Sequence, residues 1–166
     1  MDKKILIGII AVTLVVVGGG TLLLSNGPTK AVVEKTQGAK LETKETSFDF
    51  KEIPYSGRKA EHAFLIKNTG NKDLEIANLS TSCMCTVTYF QSGKEMSAQF
   101  GMKGMTQPSD WKGILKPQEE AKIVAVFDQA FHGPQGVGPV SRLVSFETND
   151  PDKPYVEFTF SGTVVK

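Results

Sequence analysis

Reactive side chains are scarce in this sequence. Its 166 residues include two cysteines, two histidines and one tryptophan. Two cysteines exclude a multi-disulfide scaffold. An excess of charge is also missing, with 19 basic residues against 18 acidic ones. Nucleic-acid binders depend on a basic excess, so no nucleic-acid partner is expected. No G-x-S-x-G, H-E-x-x-H or P-loop pattern occurs. With so few histidines and no nearby acid signature, there is no basis for a Ser/His/Asp site, and no independent catalytic turnover is expected. The acids Glu119, Glu120, Asp150 and Asp152 flank turn signals and read as solvated.

What the chain does have is apolar residues, 40% against 22% charged, enough for a packed core. The first block runs from Ile5 to Leu24, 20 residues without a charge behind Lys3 and Lys4. At about 1.5 Å per helical residue such a run matches the roughly 30 Å hydrocarbon core of a bilayer. It is longer than the apolar core of a cleaved signal peptide, about 7–15 residues. Residues 1–24 are therefore expected to be an uncleaved transmembrane anchor. The positive-inside rule leaves the remainder extracytoplasmic, single-pass and membrane-bound. No cysteine follows the run, which excludes lipoprotein anchoring. Two lysines and one aspartate lie in the anchor, leaving 17 basic and 17 acidic residues outside it. Asn26-Gly27-Pro28 should stop the helix. The polar stretch 25–45, with Val32 and Val33 as its one adjacent pair of large apolar residues, is expected to be a flexible linker.

From Thr46 the apolar period becomes two. Phe48 and Phe50 alternate with polar residues. Ala60, His62, Phe64 and Ile66 share a face, Leu74 and Ile76 follow, and Ile123–Phe127 is continuous. Val144 and Phe146 read as alternating with Arg142 and Ser145, and Val156, Phe158 and Phe160 with Tyr155, Glu157 and Thr159. Turn signals at Asn68-Thr69-Gly70-Asn71, Lys116-Pro117 and Asn149-Asp150-Pro151-Asp152 separate these strands. About seven short strands over residues 46–166 predict an all-β, immunoglobulin-like sandwich. The Cys…Trp…Cys spacing of antibody domains, and with it their inter-sheet disulfide, is absent.

The order of motifs resembles a bacterial Ig-like family, domain of unknown function fifteen-seventy-three, related to Hydin/ASH and PapD-like sandwiches. The matching residues are Phe48-Asp49-Phe50 with Ile53, Lys67-Asn68-Thr69-Gly70 and Leu74-Glu75-Ile76. Ser82-Cys83-Met84-Cys85-Thr86, Lys116-Pro117-Gln118-Glu119, Val126-Phe127-Asp128 and Glu147-Thr148-Asn149-Asp150-Pro151 continue the series. The resemblance implies a fold and an extracytoplasmic location and carries no established activity. Met84 and Gln118 stand where the family commonly has glycine. The 31 residues between Val87 and Glu119 read as an inserted loop, long enough to be functional.

Chemistry concentrates between Cys83 and His132. On an extended strand Cys83 and Cys85 would project to one face, where they could ligate a soft metal, exchange with a redox partner, or serve as structural thiols or a tight disulfide. Met102 and Met105, flanked by Gly101 and Gly104, offer soft thioethers from the loop. His132 lies in a glycine- and proline-rich loop at what could be the same end. The expected site is a copper site, as Cu(I), of Cys83, Cys85, Met102, Met105 and His132. Zinc is the less fitting metal because C-x-C is shorter than the usual structural spacing and the methionines would have no part. His62 on its apolar face reads as a satisfied half-buried histidine, and Met84 and Met96 as packing. The competing function is a scaffold or adhesion domain that holds a protein partner by its sheet edges, with structural or redox-active cysteines.

Overall fold

The structure is a computed structural model that describes residues 2–24 and 29–166, without the side chains of 18–24. The apolar N-terminal run forms one helix, α1 (Lys3–Leu24). Among the described residues, no helix is long and apolar enough to cross a membrane. The expected helix stop at Asn26-Gly27-Pro28 lies outside the described residues.

Among the described residues ten strands follow: β1 (Leu41–Thr43), β2 (Ser47–Pro54), β3 (Ala60–Asn68), β4 (Leu74–Thr81), β5 (Thr86–Ser92), β6 (Glu95–Met96), β7 (Lys112–Leu115), β8 (Glu120–Phe127), β9 (Gly138–Thr148) and β10 (Tyr155–Val165). They form two five-stranded sheets, ordered β1-β3-β8-β5-β6 and β2-β10-β9-β4-β7. The result is the all-β sandwich that the alternation predicts. Among these ten strands every pairing is antiparallel except that of β2 with β10.

The two-residue period explains the core. Phe64 and Ile66 from one sheet meet Phe158, Phe160, Val144 and Phe146 from the other, all buried. Phe64 stacks on Phe158 with centroids 4.6 Å apart, and Phe127 meets Phe160 at 5.7 Å. His62 continues this inter-sheet row. Its ring stacks on Phe48 at 3.6 Å and its Nε2 sits 2.7 Å from Glu45 Oε1. That is the satisfied, half-buried histidine expected from the pattern.

Residues 30–43 do not run free. The Ala31 amide donates to the Ser109 carbonyl at 3.0 Å, and the Thr36 amide to the Asn149 carbonyl at 2.8 Å. Ala31, Ala39 and Leu41 are buried, and Leu41 opens β1. The linker expectation counted only large apolar residues. Two alanines, one leucine and a series of backbone bonds suffice to hold this segment, while Val32 stays exposed.

Asp150 likewise differs from its expected solvated state. It is buried, with Oδ2 accepting from the Leu41 amide at 2.8 Å and Oδ1 from the Asp152 amide at 2.9 Å. Asn68 and Asn149 act in the same way. Asn68 Nδ2 donates to the Lys72 and Leu115 carbonyls, and Asn149 Nδ2 to the Asp73 carbonyl. These buried polar residues thus satisfy backbone groups at loop ends, where an unpaired buried amide would be costly.

Candidate functional site

The segment expected as a 31-residue loop is built into the sheets in part. β5 extends to Ser92, Gly93 turns at a positive φ of 57°, and β6 folds back. Residues 97–111 then cross to β7. Phe100 pairs with Thr88 and Met102 with Thr81 as isolated bridges. Trp111 packs against Phe90 and Phe100 at 5.5 and 5.4 Å between centroids. These aromatic contacts hold the crossing segment along the sandwich.

The cysteines sit in the turn between β4 and β5 rather than on a strand. The Thr86 amide donates to the Cys83 carbonyl at 3.1 Å, and Thr81 Oγ1 donates to the carbonyls of Cys83 and Thr86. The Asp128 amide caps the Cys85 carbonyl at 2.8 Å. The Ser82 amide donates to the Leu143 carbonyl, and the Leu143 amide to Ser82 Oγ. The turn is therefore tied to β8 and β9, one in each sheet. It brings the two cysteine Cα atoms to 5.3 Å, and the pair is joined as a disulfide. A bend of this kind is what a two-apart disulfide requires.

His132 reaches the same place. It directly precedes a single 3₁₀ turn, Gly133–Gly136. Its Nε2 lies 3.6 Å from Cys83 Sγ. A Cβ on Gly136 would come within 3.1 Å of the His132 Cβ, so the backbone crowds the imidazole's root. The donor atoms of Cys83, Cys85 and His132 all lie within 4.8 Å of one another. Burial grades across the cluster: Cys85 is buried, Cys83 half-buried and His132 exposed.

The methionines are placed otherwise. Met102 lines a separate hollow with Asn78, Phe100, Glu147 and Tyr155. Met105 is 67% exposed, and Met84 and Met96 are exposed rather than packed.

A further residue completes the cluster. Arg142 Nε donates to Cys85 Sγ at 3.2 Å. Its guanidinium carbon lies 5.9 Å from the Phe127 ring centroid, a cation–π arrangement. The signal for this was present in the parity of β9. Arg142 is two residues before Val144 and four before Phe146, so it shares their inward face instead of alternating with them. Opposite them, Phe160, Phe158 and Val156 take the matching places on β10. An arginine on a core-facing position needs a partner, and here it finds a cysteine sulfur.

Residues 41–101 match the model of a family described as protein of unknown function, DUF1573. No curated protein matches the chain. Among solved structures, one similar fold is a protein of unknown function from Porphyromonas gingivalis W83, at a TM-score of 0.57 and 15% identity over 80% of this chain. The chain spans about half, 50%, of that protein. The ASH/PapD-like domain of human CEP192 matches at a TM-score of 0.46 and 20% identity, over 83% of this chain and 95% of that one. The E. coli chaperone DraB matches at 0.41 and 10% identity, over 76% of this chain and 54% of that one.

Proposed function

We propose that the domain is an extracytoplasmic Ig-like binding module that takes up Cu(I) at Cys83, Cys85 and His132 once the disulfide is reduced. The carrying observation is the approach of these three donors to within 4.8 Å of one another. Two thiolates and an imidazole form a soft set suited to Cu(I). Charge favours the monovalent ion. Two thiolates around one Cu(I) leave a single negative charge, which Arg142 offsets beside Cys85. A zinc ion would leave that guanidinium unbalanced in a half-buried place. The ligand set is smaller than the sequence alone suggested, with Met102 and Met105 outside it. The module has no turnover of its own in this reading.

The extracytoplasmic placement draws on two features. A disulfide is at home in an oxidising compartment. The second is in the sequence: the charge-free run from Ile5 to Leu24 lies behind Lys3 and Lys4, an order that the positive-inside rule reads as the amino end inside, although α1 as described falls short of a membrane crossing.

Capture of a protein partner by a sheet edge has less to work with. Among the described residues, the edge strands β1, β6 and β7 have three, two and four residues. The eight-residue β2 is broken by Lys51 at a φ of 61° and a register shift against β10. Short, charged and bulged edges resist strand addition.

Anaerobic Cu(I) titration of the fully reduced full-length protein against a competing chelator tests the proposal. Wild type is expected to bind stoichiometrically, and Cys83→Ser/Cys85→Ser to lose binding. His132→Ala should weaken it by at least the roughly tenfold that even an outer-shell partner commands. Met102→Leu/Met105→Leu should bind as wild type does. Equal binding by the double-serine variant would overturn the site.

A further inference from the structure

We infer that the Cys83–Cys85 disulfide is opened by thiol–disulfide exchange of fixed polarity, an incoming thiolate attacking the Cys83 sulfur while the Cys85 sulfur leaves onto Arg142. The cluster is asymmetric in the way this polarity needs. Cys83 is half-buried beside the exposed His132, whereas Cys85 is 2% exposed. An attacking group reaches the first sulfur and is shielded from the second, and access decides which sulfur is attacked.

The leaving side is prepared for negative charge. Arg142 Nε donates to Cys85 Sγ at 3.2 Å, and Nη1 donates to the Ser141 carbonyl at 2.8 Å. Thr86 Oγ1 lies 3.7 Å from the same sulfur. Neither of Arg142's acceptors is a carboxylate. The acid nearest in the chain to this turn's contacts, Asp128, places Oδ2 on Lys59 Nζ at 2.9 Å instead. A guanidinium turned inward over Phe127 thus faces a neutral sulfur in the disulfide state. It meets its anion when the S–S bond opens, and a hydrogen bond to a charged acceptor is about twice as strong as one to a neutral acceptor. The attacked side is provided for as well. The Cys85 amide donates to Cys83 Sγ at 3.3 Å, and His132 Nε2 lies 3.6 Å away.

The reactant implied is a protein dithiol. Its first thiolate forms a bond to Cys83 Sγ, and the Cys83–Cys85 bond breaks with both electrons passing to Cys85 Sγ. The partner's second thiol then loses its proton to solvent and attacks its own first sulfur. The mixed disulfide breaks, and Cys83 leaves with the electron pair. Two electrons have moved: the partner is oxidised to a disulfide and this chain is reduced to a dithiol, its sulfurs taking up protons from solvent. Exchange is stoichiometric, with no turnover. It goes beyond the copper reading and needs no metal.

The test uses the full-length protein, oxidised, with a metal chelator present throughout. Reduced glutathione is added and the reaction is quenched early with iodoacetamide, so that fragment mass spectrometry places each adduct. Glutathione is expected on Cys83 and the alkyl group on Cys85. In parallel, reduction by dithiothreitol is timed for wild type, Arg142→Met and Arg142→Lys. Arg142→Met should open about tenfold more slowly, the order expected from losing one hydrogen bond to a charged group, and Arg142→Lys should recover part of the rate. Glutathione on Cys85, or on both cysteines equally, would overturn the inference. So would a folded Arg142→Met that opens as fast as wild type. If circular dichroism shows that Arg142→Met does not fold, the adduct position in wild type decides alone. Because the chelator excludes metal here and the copper titration starts from reduced protein, failure of one reading is visible apart from failure of the other.

Discussion

Replacing Phe64 by alanine is expected to destabilise the domain by about 3–5 kcal/mol, the range for truncating a fully buried aromatic ring. Phe64 is wholly buried and stacks across the sandwich on Phe158, which in turn meets Phe146 at 5.3 Å. The loss has two parts: apolar surface removed from the core, and a void that rigid strands on both sides cannot close. β3 pairs with β8 through eight residues, from Ala60↔Phe127 to Lys67↔Glu120, so it has little freedom to move inward. Urea unfolding followed by fluorescence reads the change as a lower midpoint at unchanged slope. A shift under 1 kcal/mol would mean that the two sheets do not share one core.

Gly70→Ala is the second large effect. A Cβ on Gly70 would press on the Gly38 carbonyl and come within 2.8 Å of the Lys40 amide nitrogen. The obstacle is backbone, which cannot rotate aside as a side chain can. That backbone is held in place: the Asn71 amide donates to the Gly38 carbonyl at 2.8 Å, and the Thr69 amide to the Lys40 carbonyl at 2.9 Å. Gly38 itself sits at a φ of 93°, a conformation that suits glycine. Relief requires residues 38–41 to lift, exposing Leu41 and freeing Asp150 from the Leu41 amide. The cost should be about 1–3 kcal/mol, as for overpacking elsewhere. Native-state hydrogen exchange should show the loss first at the Leu41 and Asn71 amides. Unchanged protection at both would contradict the packing of residues 30–43 against the sandwich.

The sandwich was legible because alternation is local. Phe64, Ile66, Phe158 and Phe160 each advertise their face within a few residues, and the Asn68-Thr69-Gly70 and Asn149-Asp150-Pro151 motifs mark the turns. The hold on residues 30–43 was less visible, since it is made by backbone amides and by alanines, which carry little pattern. The site was legible in part. Cys83, Cys85 and His132 converge as expected, yet the cysteines lie on a turn, and composition does not distinguish Ser82-Cys83-Met84-Cys85 as the end of β4 from the link between sheets. Met102 lines a hollow that Cys83, Cys85 and His132 do not line, and Met105 is exposed; the path of their segment follows contacts of Phe100 and Trp111 that are distant in sequence. Arg142 was legible in principle, from its parity with Val144 and Phe146. Its meeting with Cys85, 57 residues away in the chain, belongs to the tertiary fold.

On the reading proposed above, Cys83, Cys85 and His132 hold one copper ion together. Copper K-edge X-ray absorption of the reduced full-length protein, loaded with an equimolar amount of Cu(I), tests it most directly. The predicted shell has two sulfur donors and one imidazole nitrogen, with the nitrogen lost in His132→Ala and both sulfurs lost in Cys83→Ser/Cys85→Ser. A shell without sulfur, or one unchanged in the double-serine variant, would contradict it.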